Sequence, residues 1–145
     1  MTVYYTPADE AREQAVADVL ARCWHCEIHR LPRFEGIDFY AVRGDRIVAW
    51  IELKNRGVAS DRFSSVYLSH VKWSQLVDVE TRTGRPGMYV VAFTDCVKAI
   101  RATHVDVSNP RMYGNSARQV KEPIYFVPID SMRTVTELQP ANGRS

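Results

Sequence analysis

The stretch Asp45–Arg56, DRIVAWIELKNR, is apolar as far as Ile51 and then sets Glu52 and Lys54 two positions apart. The run reads as a buried strand, and in a strand residues i and i+2 point to the same face. One face therefore ends in a carboxylate and an ammonium side by side. Glu-x-Lys is also common on a solvated strand edge, so the preceding segment decides its meaning. That segment, Gly36–Val42, reads GIDFYAV and places Asp38 between Ile37 and Phe39. An aspartate in such company is costly to bury without a partner.

Gly44-Asp45 separates the strands expected at 37–42 and 47–54, which is a hairpin signal. The register of that hairpin is critical. If Gly44 and Asp45 alone form the turn, Asp38 pairs with Ile51, and the Asp38 and Glu52 carboxylates face opposite sides of the sheet. If Gly44, Asp45 and Arg46 loop out, Asp38 stands across from Glu52. Either that longer loop or a β-bulge gathers Asp38, Glu52 and Lys54 on one face. Two crowded carboxylates repel, and a hard divalent cation relieves the repulsion. Mg²⁺ takes one or two carboxylates, with water and phosphate completing its octahedron. The carbonyl of Leu53, between the two charged residues, is a further candidate ligand. Such a cation acidifies a bound water and neutralises phosphate charge, and Lys54 would orient that water or stabilise the developing negative charge. This is the chemistry of phosphodiester hydrolysis.

Outward from this hairpin, Thr6-Pro7-Ala8-Asp9 predicts a helix start, with Thr6 as N-cap, and the helix extends to about Cys23. Val16, Val19, Leu20 and Cys23 share its predicted inner face, with Glu13 at the edge of that face and Glu10 further round. Glu27–Leu31 reads as a short strand stopped by Pro32. A second helix is expected from about Leu68 to Thr83, ended by Gly84-Arg85-Pro86-Gly87. MYVVAFTD is a continuous apolar strand, CVKAIRAT a further strand, and IYFVPID the last one. The polar segment from His104 to Glu122 reads as an excursion or loop. The order helix, three strands, helix, strand predicts an α/β fold, a central mixed sheet flanked by helices.

Asp38, thirteen intervening residues and then Glu52-Leu53-Lys54, after a helix carrying Glu13, resembles the PD-(D/E)xK nuclease superfamily. The αβββαβ order matches its restriction-endonuclease-like core over roughly residues 6–95, in a single domain. Within the superfamily the chain is most similar to small phage-encoded nucleases and Holliday junction resolvase-like proteins. Ile37 stands where the motif's proline would be. The resemblance implies a Mg²⁺- or Mn²⁺-dependent nuclease with DNA as its substrate. It assigns metal binding to Asp38 and Glu52, catalysis to Lys54, and a supporting carboxylate to Glu13, with Glu10 the second choice. It also implies substrate contacts for Lys72 and Gln75, which are three apart on one helix face. Cutting both strands usually takes two sites, so a homodimer is possible. A phage-encoded member would work in the host cell cytoplasm. The alternative is a non-catalytic nucleic-acid or protein-binding domain that kept the fold.

Other features are weaker. Cys23-Trp24-His25-Cys26, with His29 beyond, resembles half of a zinc site, but a structural site needs four ligands and the only other cysteine is Cys96. Three cysteines and an N-terminus without a signal-peptide pattern point to reduced thiols in a cytosol. No apolar run reaches membrane-spanning length. The formal net charge is only +2 and names no partner. Arginine, however, outnumbers lysine 15 to 4, and Arg suits phosphate contacts, although codon composition produces the same bias. Arg30, Arg33, Arg43, Arg56 and Arg62 lie around the candidate site in sequence, either as a phosphate path or as ordinary solvated charges.

Overall fold

A computed structural model of the chain describes residues 7–32, 36–115 and 120–138. Thr6, Arg33 and the tail Gly143–Ser145 lie outside them. Helix α1 spans Pro7–Trp24, with Pro7 in its first turn and Asp9 and Glu10 opposing the helix dipole there. Ala17 and Leu20 are its buried residues, and Val16 and Trp24 pack beside them. Cys23 is exposed, so the inner face is rotated from the one predicted and runs through Glu13, Ala17, Leu20 and Trp24.

Strands β1 (Glu27–Arg30), β2 (Phe39–Arg43) and β3 (Arg46–Asn55) form an antiparallel meander. Strand β4 (Ser65–Ser69) follows, then helix α2 (His70–Thr83), then β5 (Gly87–Ala92) and β6 (Cys96–Arg101). The helix expected from Leu68 starts two residues later. Ser65–Ser69 alternates polar and apolar, which suits a strand with Val66 and Leu68 turned inward. The Ser69 side chain then caps α2 by accepting the Lys72 N–H at 3.2 Å. Gly84, at φ 72°, ends the helix, as its sequence position indicates.

The main sheet has the order β1-β2-β3-β5-β6-β9, where β9 is Arg133–Glu137. Its β3–β5 pair is parallel and the remaining pairs are antiparallel, so the sheet is mixed, as expected. Strand β9 was not expected. Its sequence RTVTE has β-branched residues but little apolar content, and only pairing with β6 identifies it. The predicted polar excursion also contains a strand, β7 (Arg111–Asn115). It pairs with β8 (Val120–Pro128), and β8 pairs with β4 in a second sheet of order β4-β8-β7.

The two faces of the main sheet are covered differently. Leu20 and Ala17 of α1 pack on the face carrying Phe39, Ala41, Ala49, Ile51, Leu53 and Val90. Leu76 of α2, together with Val66, Leu68, Tyr125 and Val127 of the small sheet, packs on the face carrying Tyr89 and Val91. Interior β5 is thus buried on both sides, which explains its continuous apolar run. Among the described residues, no helix is long and apolar enough to cross a membrane.

The hairpin reaches its register by a bulge. Arg43 pairs with Arg46 around the two-residue turn Gly44-Asp45, and Gly44 has φ 67°. Val42 pairs with Ile47, but Ala41 then pairs with Ala49, so Val48 is the extra residue. From there Tyr40 pairs with Trp50 and Phe39 with Ile51. One step further in the same register, Asp38 faces Glu52.

Gly87, at the start of β5, lets α2 lie close to the sheet. A Cβ there would stand 2.6 Å from the Leu76 carbonyl oxygen, a backbone atom that cannot swing away. Gly87→Ala should therefore destabilise the fold by about 1–3 kcal/mol, as overpacking does. Gly57→Ala meets open space and should be close to neutral. Urea unfolding midpoints of the two variants check this, and equal midpoints would contradict it.

Candidate active site

Peptide direction along β3 sets the site. Trp50 N donates to Pro86 O and Arg56 N donates to Ala92 O, so the even-numbered peptides turn toward β5. Leu53 turns its N–H and carbonyl the other way, toward β2. There β2 has nearly ended, and the Asp38 side chain takes the place of a backbone acceptor. Asp38 Oδ2 accepts the Leu53 N–H at 2.9 Å, satisfying a donor that would otherwise be costly to bury. The Asp38 backbone is held as well, with its N–H donating to Ile51 O at 3.1 Å and its carbonyl accepting from Leu31 N at 2.8 Å.

Side chains alternate the opposite way to peptides. Ala49, Ile51 and Leu53 are buried under α1, while Trp50, Glu52 and Lys54 look toward α2 and the small sheet. Glu52 Oε1 is buried with no hydrogen-bond partner, and Lys72 Nζ, in the first turn of α2, stands 3.5 Å away. The Glu52 side chain is 12% exposed. Burial pushes its pKa up to about 8, the Asp38 charge adds to the rise, and Lys72 opposes it. Burial also raises the Asp38 pKa, against the Leu53 N–H and Lys72, which lower it, and with a smaller contribution from Glu13. Two carboxylates and an ammonium thus share one partly dehydrated corner.

Lys54 lies beside them. Its Nζ sits 4.1 Å from the centre of the Tyr67 ring, a cation–π contact. Burial lowers its pKa, Arg56 lowers it further, and Glu52 opposes the shift. Tyr67 is itself placed by the core, because its carbonyl accepts the Tyr89 hydroxyl at 2.8 Å. Glu13 enters from α1 and pairs with Arg30 at 2.9 Å, while the Arg30 guanidinium lies 4.7 Å over the Phe39 ring. Glu10 is exposed.

Glu13, Glu52, Leu53, Lys54, Tyr67 and Lys72 line one open cleft of about 780 Å³. Asp38 is not among its lining residues and supports it through Leu53. Gln75 stands elsewhere. Its amide packs against Gly36, at φ 83°, where a Cβ would lie 2.6 Å from Nε2, and its Oε1 is buried with no hydrogen-bond partner. Arg56 leans over Phe63, 5.8 Å from the ring centre, outside the cleft. Tyr67 and Tyr89 were not singled out from the sequence. The Ser65–Ser69 alternation was the available signal for Tyr67, since it turns that ring away from the core.

The Cys23–Cys26 turn is fastened by Arg43, which donates to the carbonyls of Trp24 at 2.5 Å and His25 at 3.1 Å. All three cysteines are free. Among the described residues, no group of three or more His, Cys, Asp or Glu is placed to hold a metal ion. A cation at the corner shared by Asp38 and Glu52 would draw on these two carboxylates with backbone, water and substrate oxygens, a donor set that suits Mg²⁺ or Mn²⁺ rather than zinc.

The family model described as "Phage putative PDDEXK endonuclease" matches residues 1–135. No curated protein matches the chain significantly. Among solved structures, the fold is similar to that of Hjc, a Holliday junction resolvase from the archaeal hyperthermophile Archaeoglobus fulgidus, at 18% identity and a TM-score of 0.51, covering 80% of this chain and 82% of that one. It is also similar to a nuclease from a fusselovirus, at 14% identity and a TM-score of 0.55, covering 93% of this chain and 91% of that one. A family match over nearly the whole chain, on a sheet that sets Asp38 opposite a Glu-x-Lys strand, makes this chain a member of the phage PD-(D/E)xK endonuclease family.

Proposed function

We propose that the chain is a Mg²⁺- or Mn²⁺-dependent endonuclease that hydrolyses phosphodiester bonds in DNA, with Asp38, Glu52 and the Leu53 carbonyl holding the cation. The observation that carries this reading is Glu52: a buried carboxylate whose Oε1 has no hydrogen-bond partner and only the Lys72 ammonium 3.5 Å away, beside a second carboxylate. A hard cation supplies what that pair lacks, and once bound it activates water and neutralises phosphate charge.

The chain's own residues do the rest. Asp38 fixes the β3 backbone at Leu53 and so aims the Leu53 carbonyl. Lys72, 3.5 Å from Glu52, opposes the rise of its pKa, and its ammonium would contact a phosphate oxygen of the substrate. Lys54, held against Tyr67, keeps its ammonium at the attacked phosphate, where negative charge develops. Glu13, steadied by Arg30, marks the cleft wall on the α1 side. Cutting both strands of a duplex takes two such sites, and two copies of the chain would supply them.

The metal-binding pair makes stability depend on pH. Burial pushes the Glu52 pKa in the folded protein up to about 8, against an ordinary value of 4.5. The folded state therefore binds more protons than the unfolded state between these values, and stability falls as pH rises through that window. The Asp38 shift has the same sign. In EDTA, Tm should decline between about pH 5 and 8, and Glu52→Gln should flatten that decline. Millimolar Mn²⁺ should raise Tm at pH 8 through linkage, and Asp38→Asn should lose most of the rise. Calorimetry on the three proteins checks this, and identical Mn²⁺ responses of the wild type and Asp38→Asn would remove the metal from this site.

Lys54 acts on the transition state, and such binding energy changes rate rather than ground-state affinity. Lys54→Ala should slow single-turnover cleavage of plasmid DNA roughly a hundredfold or more, with DNA affinity nearly unchanged. Equal losses in both would support a binding domain that kept the fold, and wild-type cleavage would reduce Lys54 to a surface charge.

A further inference from the structure

The small sheet carries a surface that extends past the residues used in the cleavage chemistry. Register places Tyr67 opposite Phe126, Ile124 opposite Arg111, and Glu122 opposite Tyr113, all on the sheet's outward face. The Tyr67 and Tyr113 rings stack at 5.3 Å with 26° between their planes. They span β8 above Ile124, which is 1% exposed although it lies on the outer face. The Arg111 guanidinium stands 5.5 Å over the Phe126 ring. Tyr113 and Phe126 nevertheless remain 50% and 46% exposed.

This face is continuous with the cleft, because Tyr67 is also the ring under Lys54. Just before β4, Phe63 is 49% exposed, with the Arg62 guanidinium 5.2 Å and the Arg56 guanidinium 5.8 Å from its ring. Half-exposed rings flanked by guanidiniums are the two components that single-stranded nucleic acid engages: flat faces for bases and cations for the backbone. The one acid on the outer face of the sheet among these residues, Glu122, sits at its cleft end.

We propose that the outward face of the β4-β8-β7 sheet, through Tyr113 and Phe126, is a stacking platform for unpaired bases, so that the preferred substrate carries a single-stranded DNA segment beside the scissile phosphate. The inference rests on the reading of DNA as substrate. In a continuous duplex the base faces are hidden in the stack, and the groove edges and sugar-phosphate backbone offer the rings little. An unpaired strand next to a branch, flap or gap offers base faces directly. Each stacked base is worth about 1–3 kcal/mol by alanine substitution, enough for the platform to choose between substrates.

The test measures binding in EDTA, where no cleavage occurs, by fluorescence anisotropy with a labelled oligothymidylate and a labelled blunt duplex of equal length. Tyr113→Ala and Phe126→Ala should each weaken oligothymidylate binding about tenfold and leave duplex binding unchanged. Tyr113→Phe, which keeps the ring, should bind as the wild type does, and matching urea midpoints show that the variants fold. Equal losses on both DNAs, or no loss on oligothymidylate, would overturn the platform. So would a variant whose sedimentation shows that the rings join two copies of the chain instead. The two readings fail separately. A wild type that binds oligothymidylate through these rings but cleaves nothing with Mn²⁺ refutes the nuclease reading alone. A wild type that cleaves, with Tyr113→Ala binding oligothymidylate normally, refutes the platform alone.

Discussion

The hydrogen bond from the Leu53 N–H to Asp38 Oδ2 ties together everything at the cleft. It forms because the β2 pairing stops at Phe39 opposite Ile51 while β3 runs on to Asn55, and a side chain takes up the Leu53 N–H beyond the paired stretch. That single contact fixes the Asp38 carboxylate and orients the Leu53 peptide, on either side of which Glu52 and Lys54 emerge toward α2. It also explains why an aspartate is tolerated between Ile37 and Phe39. Its carboxylate takes over a backbone role, which offsets part of its desolvation. A second constraint supports the first from the other side of the sheet. Helix α2 begins at a serine cap immediately after β4, so Lys72 and Tyr67 arrive at the same corner from adjacent elements.

The corner is electrostatically unfinished. Glu52 is pushed toward its protonated form while a lysine stands within ion-pair distance, and Lys54 is drawn toward neutrality by burial. Burial dominates each of these shifts, because the cleft floor is formed by Tyr89, Leu68 and Leu53 rather than by water. Structural ion pairs elsewhere in the molecule look different. Arg101 and Glu80 make a multiply bonded fork that lowers the glutamate's pKa. Strongly shifted groups gathered at one corner are characteristic of functional sites.

Much of this was legible in the residues. The Glu52-x-Lys54 strand, the Gly44-Asp45 turn and the Pro7 helix start are local signals with direct physical causes, and each leads to the observed element. The position of Asp38 left two hairpin registers open. The structure combines the short turn with a bulge, which the residue types around Val48 do not advertise. What escaped the sequence was mostly long-range. Strand β9 is identified only by its pairing with β6, and β7 only by its pairing with β8, since neither is apolar enough to declare itself. The start of α2 was misread because Leu68 fits both a helical period and a strand alternation, and the Ser69 cap decides between them. Gln75 shares a helix face with Lys72, as expected, yet Gly36 draws its amide away from the cleft. That close approach depends on a glycine at positive φ thirty-nine positions away in the chain.

The bulge at Val48 has a consequence for how this hairpin tolerates change in length. A sheet has a side-chain period of two, so the hairpin is read in a frame of two. Counted from the Gly44-Asp45 turn, Glu52 lies out of phase with Asp38, and counted from Val48 it is in phase. One residue gained between Asp38 and the turn, or between the bulge and Glu52, exchanges the faces and sends one carboxylate into the core beneath α1. Two residues gained on the same arm restore the phase. The distance between the two acidic residues in this chain therefore carries parity, a property of the segment as a whole that no single position within it records.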